Sequence, residues 1–180
     1  MARTSAERSD VVPMLAEVFR TYGFEGASLA RITEGTKLGK GSIYHFFPGG
    51  KEEMAEAVLT EIDDWFQTHV FLPLREEGGS ADMFREVNRY FLSGKKVCLV
   101  GVFALGNERD RFAARVKAYF AAWIGALDAA LRREGKDAKA AAALAEEIVV
   151  GIQGALVIAR ALDQPAVFTS TLRRLQRRVG

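Results

Sequence analysis

Apolar residues recur every three or four positions along most of this chain, which is the spacing of one face of an α-helix. In the first such segment the apolar positions are Val11, Leu15, Val18, Phe19 and Tyr22. Strict alternation of apolar and polar residues, the pattern of a half-buried strand, does not extend over a comparable length. The chain is therefore predicted to be all-α. Further helices are predicted over residues 29–36, 40–46, 54–66, 83–91, 112–131, 140–162 and 166–179.

Helix-breaking residues divide this pattern. Gly23 is expected to end the first helix, because glycine accepts the left-handed conformation that is common at helix C-termini. Proline is tolerated in a first turn and disruptive later, so the first helix either starts near Ser9 or bends at Pro13. Further along, Pro73 and the pair Gly78–Gly79 predict a break in the middle of the chain.

The composition is that of an ordinary soluble protein. Of the 180 residues, 49% are hydrophobic and 27% are charged, which is typical of globular domains. The N-terminus has no hydrophobic signal region, and no apolar run is expected to approach the roughly 18 residues of a membrane span. A single cysteine, Cys98, allows no internal disulfide. These features predict a cytoplasmic protein that has no membrane partner.

The segment LGKGSIYHFFPGGKEEM, residues 38–54, holds the candidate chemistry. A nucleotide-binding P-loop would need a glycine five positions before Gly50 and a serine or threonine after Lys51. The chain has His45 and Glu52 at those two places. A helical pattern, rather than a strand, precedes the segment. These differences argue against a phosphate-binding loop.

The sequence lacks the residue patterns that usually support catalysis or bind a metal ion. His45 and His69 are the two histidines, and neither lies three residues after a glutamate, the spacing found in di-iron helix bundles. No serine has the context of a nucleophile elbow. Cys98 lies in the apolar run KKVCLVGVF, where a buried and inert thiol is expected. We therefore expect no enzyme activity, no catalytic residue, no cofactor and no metal.

A helix-turn-helix fits the segment better than either alternative. Its two helices, over 29–36 and 40–46, are joined by a tight turn, and the second would enter the major groove of DNA. Residues 35–51 contain three lysines and no acid, so the local charge is positive although the net charge is only +2. The alternative is a plain surface helix. A small core can fix the angle between the helices, formed by Leu29, Ile32, Leu38, Ile43 and Phe47.

The run SLARITEGTKLGKGSIYHFFPGGKEEM, residues 28–54, resembles the helix-turn-helix signature of the TetR family of bacterial transcriptional regulators almost residue by residue. Within it, FPGGKEEM resembles the branch that includes the LmrA and YxaF repressors. The resemblance is good over about residues 5–60. It implies an all-helical homodimer with an N-terminal DNA-binding domain, predicted over residues 1–50, and a C-terminal ligand-binding and dimerisation domain, predicted over residues 51–180.

The resemblance also implies which residues meet DNA. Ser28, a good helix N-cap, and Lys51, at a helix N-terminus that favours phosphate, would touch the DNA backbone. The full set of predicted DNA contacts is Ser28, Lys37, Lys40, Gly41, Ser42, Tyr44, His45 and Lys51. Two positions depart from the family pattern. Lys37 stands where glycine is common, at a cost of about 1 kcal/mol or more if its φ is positive. Gly39 stands where a serine or threonine cap is common.

The C-terminal two-thirds of the chain is predicted to bind a small apolar or aromatic effector. Its helices are rich in aromatic residues. Gln153 interrupts an apolar stripe, where a buried amide would need a partner. Aromatic residues at helical spacing also build ordinary cores, which is the alternative for each of them. The candidate effector contacts are Trp65, Phe66, His69, Phe84, Phe91, Phe103, Tyr119, Phe120, Trp123 and Gln153.

The dimer seam is predicted at the last two helices. Paired across a two-fold axis, two helices per chain make a four-helix bundle. The first of these helices carries small residues that let helices approach closely, namely Gly151, Gly154, Ala155 and Ala159. Packing within one chain is the alternative use of these positions.

Together these expectations describe a ligand-responsive repressor. It would bind a palindromic operator in double-stranded DNA as a homodimer, because dimerisation sets two recognition helices about one DNA turn apart. A small-molecule effector would release it. The alternative function is a helical small-molecule-binding or enzymatic domain without an operator. The two differ in that a regulator prefers one duplex sequence strongly over bulk DNA.

Overall fold

A computed structural model describes residues 7–180, and the regular structure in that range is helical throughout. A π turn over Gln67–Phe71 joins α4 to α5, and short 3-10 turns lie at Leu92–Gly94 and Asn107–Asp110. The predicted all-α fold is confirmed. The helices are α1 Arg8–Gly26, α2 Leu29–Thr36, α3 Lys40–Phe46, α4 Gly50–Phe66, α5 Leu72–Arg75, α6 Ser80–Tyr90, α7 Leu99–Leu105, α8 Ala113–Arg133, α9 Ala138–Ala161 and α10 Ala166–Gln176.

The structure decides whether the first helix starts near Ser9 or bends at Pro13. The helix begins at Arg8, and Pro13 is accommodated within it. Gly23 has φ 68° and ψ 177° and interrupts the helix, as expected, before one further turn that ends at Gly26. α1 packs against α2 and α4, and it thereby links the helix-turn-helix to the rest of the molecule.

α1 and α2 approach each other closely at Gly35. A Cβ atom placed on Gly35 would lie 2.3 Å from Cγ2 of Val18, a separation that packed carbon atoms do not reach. Leu15 and Phe19 of α1 and Ile32 of α2 are buried nearby in the same core. Glycine at position 35 therefore sets the distance between these two helices.

The predicted break at Pro73 is wrong. The chain stays helical from Gly50 to Arg75, with the π turn Gln67–Phe71 directly before the proline. In a π turn the hydrogen bonds run from residue i to i+5, and the Leu72 N–H accordingly donates to the Gln67 carbonyl. This wider turn moves the preceding carbonyls away from the place where they would collide with a proline ring in an α-helix.

The core of the C-terminal part is an aromatic cluster. The Phe66 ring lies 5.1 Å from Tyr119 and 5.2 Å from Trp123, measured between ring centroids. The Trp123 indole N–H donates to the Met83 sulfur over 3.4 Å. These contacts join α4, α6 and α8, because each helix contributes aromatic or thioether side chains to one centre.

The long helix α9 corrects the expectation about apolar runs. Among residues 7–180, Ala138–Ala161 is the one helix that is long and apolar enough to cross a membrane by length and composition. The expectation that no apolar run approaches a membrane span is therefore wrong. α9 packs between α8 and α10, and it buries Ile148, Ile152 and Leu156 in the core. The apolar composition serves that central position.

Candidate nucleic-acid interface and apolar cavity

The turn between α2 and α3 has the geometry that the sequence predicts. The Arg31 backbone N–H donates to Oγ of Ser28 over 3.3 Å, which caps the start of α2. Lys37 ends α2 in the left-handed conformation, with φ 57° and ψ 20°. Gly39 occupies the N-cap position of α3 without a side-chain cap. Lys37 therefore carries the backbone strain that a glycine would relieve.

The short helix α3 presents one face to the core and one to solvent. Ile43 is fully buried, whereas Tyr44 keeps 44% of its surface exposed. The ammonium group of Lys40 lies 6.0 Å from the centroid of the Tyr44 ring, one helical turn away. The exposed face contains no acidic residue and is formed by Lys40, Gly41, Ser42, Tyr44 and His45.

Lys51 is held in place by the end of α1. Its ammonium lies 4.5 Å from the centroid of the Phe24 ring, 3.5 Å from the Glu25 carbonyl oxygen and 4.0 Å from the Glu25 carboxylate. Ring, carbonyl and carboxylate are all electron-rich, so they fix the ammonium at the junction of α1 and α4. Lys51 is half-buried there, while Ser28 and Lys37 are exposed like the face of α3.

The N-terminus of α4 is less open than its sequence suggests. The Gly49 N–H donates to Oε2 of Glu53 over 2.8 Å, and Glu52 adds a second carboxylate to the first turn. The Gly49 N–H is therefore already engaged within the chain. A phosphate approaching Lys51 would have to share this helix end with two acids, which themselves favour a helix N-terminus.

Two family models match this chain. Residues 15–58 match the model for bacterial regulatory proteins of the tetR family. Residues 81–173 match the model for the C-terminal domain of LmrA/YxaF-like transcriptional regulators. The chain belongs to the TetR family. This TetR protein is therefore a transcriptional regulator with an N-terminal helix-turn-helix, and its family is not one of enzymes.

Relatives of this TetR regulator extend over both parts of the chain. An uncharacterised HTH-type transcriptional regulator of Mycobacterium tuberculosis is 27% identical over an alignment of 167 residues, and the match covers 85% of this chain and 84% of the relative. The HTH-type regulator LmrA of Bacillus subtilis is 29% identical over 63 residues, 35% of this chain and 34% of LmrA. A TetR regulator from Legionella pneumophila has the same fold, with a TM-score of 0.78 at 19% identity, over 99% of this chain and 100% of its own.

The C-terminal part of this TetR regulator contains an apolar cavity of about 770 Å³ between α7, α8 and α9. We call it the apolar cavity. Gln153 is one of its few polar lining groups. The side-chain Nε2 of Gln153 is buried and makes no hydrogen bond with any residue from 7 to 180. Aliphatic side chains make up much of the wall, including Val102, Ile124, Val149, Leu156 and Val157.

Two of the ten predicted effector contacts, Phe120 and Gln153, line the apolar cavity. Trp65 and His69 stack on each other at 4.5 Å, and Trp65 lines a different cavity. The remaining six are packed in the core, namely Phe66, Phe84, Phe91, Phe103, Tyr119 and Trp123. The aromatic residues pack against one another, so aliphatic residues are left to form the cavity wall. Sequence reasoning missed these residues because valine and leucine at helical spacing look like ordinary core.

Cys98 also reaches the wall of the apolar cavity. It is buried, as predicted, and burial raises the pKa of its thiol above the ordinary value. A thiol is unreactive in that state, because the thiolate is the nucleophile. Cys98 therefore acts in the wall as a small apolar group.

The small residues of α9 are used within the chain. A Cβ on Gly151 would lie 3.0 Å from Cδ1 of Leu175 in α10, and Ala155 and Ala159 are buried. Their placement in a dimer seam is therefore corrected to the alternative, intramolecular packing. Gly154 differs, because its surroundings are open within 4 Å of a Cβ. Around it runs an exposed apolar stripe that sequence reasoning missed, formed by Val150, Val157, Ile158 and Leu162.

Proposed function

We propose that this TetR regulator is a cytoplasmic repressor that binds a palindromic operator as a homodimer. A small apolar ligand in the apolar cavity would release it. The outward face of α3 is the observation that carries the proposal, because it is exposed, free of acids and basic at Lys40. Residues 1–50 would form the DNA-binding domain, and residues 51–180 would bind the ligand and the second copy.

In this proposal α3 lies in the major groove. Ser42, Tyr44 and His45 can contact base edges, since hydroxyl and imidazole groups both donate and accept hydrogen bonds. Ser28 and Lys51 contact phosphates on either side and set the register without reading sequence. Lys37, Lys40 and Gly41 complete the surface that faces the DNA.

The second copy would pack on the exposed stripe of α9. Val150 has 62% of its surface exposed, Val157 56% and Leu162 55%, and a contiguous apolar stripe of this kind marks an interaction site. Gly154 at its centre lets a facing helix approach closely. α10 lies beside α9 and would complete a four-helix bundle across the two-fold axis.

The route from effector to DNA would run through α7. α7 forms a wall of the apolar cavity, and its Phe103 ring contacts Phe19 and Phe24 of α1 at 6.0 and 6.2 Å between centroids. A ligand that accepts a hydrogen bond from Gln153 and displaces α7 would therefore shift α1. Since α1 carries α2 and α3, the separation of the two recognition helices would change.

Selection of bound sequences from random duplex DNA tests the proposal. We expect enrichment of one palindrome with half-sites about one helical turn apart. Tyr44→Ala should relax the preference for that sequence. Lys51→Ala should weaken binding about equally on all sequences and flatten the log–log salt dependence by roughly one unit. A selection that enriches nothing would favour a helical ligand-binding domain without an operator.

A further inference from the structure

A second cavity of about 410 Å³ lies where α1 meets the C-terminal part of the molecule. We call it the junction cavity. α1 contributes Arg20, α4 contributes Trp65, and α6 with the segment after it contributes Tyr90 and Lys96. Its walls are distinct from those of the apolar cavity. The volume falls within the range of small-molecule sites.

Arg20 is a buried cation with an unused donor. Its side chain is 6% exposed. Nη1 donates to Oε1 of Glu17 over 2.5 Å, while Nε is buried and makes no hydrogen bond within residues 7–180. A buried donor without an acceptor is costly, and more so when it belongs to a charged group. Arg20 lines the junction cavity, so an acceptor bound there would lie beside a guanidinium that still has an unpaired donor.

Lys96 supplies a second cation to the same cavity. Its ammonium lies 4.1 Å from the centroid of the Tyr90 ring, and it makes no ion pair with the residues that the structure describes. Burial and, after it, the charge of Arg20 lower the pKa of Lys96 to about 8, while the charges of Glu17 and Glu61 act in the opposite direction. The charge of Arg20 therefore adds to the cost that burial imposes on the Lys96 ammonium.

Much of the remaining wall is aromatic and apolar, and a third cation in it, Arg89, is paired with Glu86. Trp65 and Tyr90 pack on each other with centroids 4.5 Å apart, and both line the cavity together with Val58 and Ile62. Glu17 and Glu61 stand near the two cations. These carboxylates would repel a ligand with more than one negative charge more strongly than they would repel a monoanion.

We propose that the junction cavity binds a small monocarboxylate with a flat apolar body. The carboxylate would lie between Arg20 and Lys96, and the body would lie against Trp65 and Tyr90. Charge-assisted hydrogen bonds from a guanidinium and an ammonium are the usual means of holding a carboxylate. Such a ligand would fasten α1 to α4 and α6, and it would do so at a site separate from the effector cavity of the proposed function.

Calorimetric titration of the full chain tests this site, with sodium benzoate and 2-naphthoate as probes. Benzamide is the neutral isostere of benzoate, and inorganic phosphate is the multivalent anion without an apolar body. Lys96→Met removes the charge and keeps the chain length. Lys95→Met is the matched control, since Lys95 is exposed next to it and does not line the cavity. Arg20→Met tests the contribution of Arg20, provided that its melting curve shows a folded protein.

We expect saturable binding of both carboxylates, with benzoate dissociating at about 10 mM or below. Benzamide should bind at least about tenfold more weakly, as should benzoate to Lys96→Met, while Lys95→Met stays within about twofold of the parent. The proposal is overturned if neither carboxylate saturates, if benzamide equals benzoate, or if phosphate binds more tightly than benzoate. Equal losses in Lys96→Met and Lys95→Met would also overturn it. None of these results depends on operator binding, so the proposed function is tested separately.

Discussion

Single residues of this protein carry strain and charge that their neighbours do not relieve. Lys37 is the clearest case of strain, because it ends α2 with φ 57° and its side chain is exposed. A left-handed conformation costs an L-residue with a Cβ roughly 1–2 kcal/mol. Nothing that the structure describes around Lys37 offsets this cost.

Replacing Lys37 with glycine should therefore stabilise the fold by about 1 kcal/mol, because glycine adopts positive φ without a steric penalty. Urea denaturation followed by circular dichroism measures the change. The control is Lys117→Gly, an exposed lysine in the second turn of α8, which should lose about 1 kcal/mol. If both substitutions destabilise alike, Lys37 is not strained.

Lys96 is the clearest case of a charge that its neighbours do not fully compensate. Its pKa of about 8 lies below the ordinary 10.5, chiefly because burial disfavours the charged form. The folded state therefore bears a cost for the ammonium below pH 8, and that cost disappears as the pH rises past 10.5, where folded and unfolded chains are both neutral.

Lys96→Met should for this reason be more stable than the parent at pH 7, by roughly 1 kcal/mol once partial exposure of the group is allowed for. The advantage should shrink as the pH rises from 8 to 10.5. Urea midpoints at pH 7 and pH 10.5 give the two values. A difference that is constant with pH would mean that packing, not charge, distinguishes the two side chains.

At the scale of elements, the helix-turn-helix could be predicted from the sequence, but its packing against α1 could not. The bounds 29–36 and 40–46 agree with the structure because cap, turn and periodicity all act within a few residues. Gly35 looks in the sequence like a glycine near a helix end. Its role is to admit Val18 of α1, a contact between residues that lie in different helices.

Gly35→Ala should push α2 away from α1, since the new methyl would lie 2.3 Å from Val18 Cγ2. We expect a loss of about 1–3 kcal/mol in the free energy of unfolding. Gly41→Ala is the control, because nothing lies within 4 Å of its Cβ, and it should be neutral or stabilising. Val18→Ala in the Gly35→Ala background should recover part of the loss. Additive losses in the double variant would contradict the close contact.

At the scale of the whole molecule, the exposed stripe of α9 is expected to hold two copies together. Ile158→Asp places a charge on the stripe without disturbing the core or the apolar cavity, since Ile158 is 48% exposed and does not line that cavity. We expect the parent to sediment as a dimer at micromolar concentration and Ile158→Asp to shift toward monomer, with a loss of operator affinity.

Leu72→Asp is the matched control for this test, because Leu72 is 45% exposed and lies on α5, outside the stripe. Gly151→Leu should instead lower the stability of the single chain, since Leu175 occupies the space that the new side chain needs. A parent that sediments as a monomer would remove the proposed dimer surface.

The sequence by itself determined the all-α fold, the helix-turn-helix with its cap at Ser28, and the TetR family. Each of these follows from residues close together in the chain, because helix periodicity, caps and turns depend on local contacts. Tertiary structure alone decided which side chains line a cavity. Phe66 and Trp123 pack together in the core, Val157 is exposed, and Arg20 is buried near Lys96. Burial of a side chain depends on contacts between helices that are distant in the sequence, so these outcomes could not be predicted from local patterns.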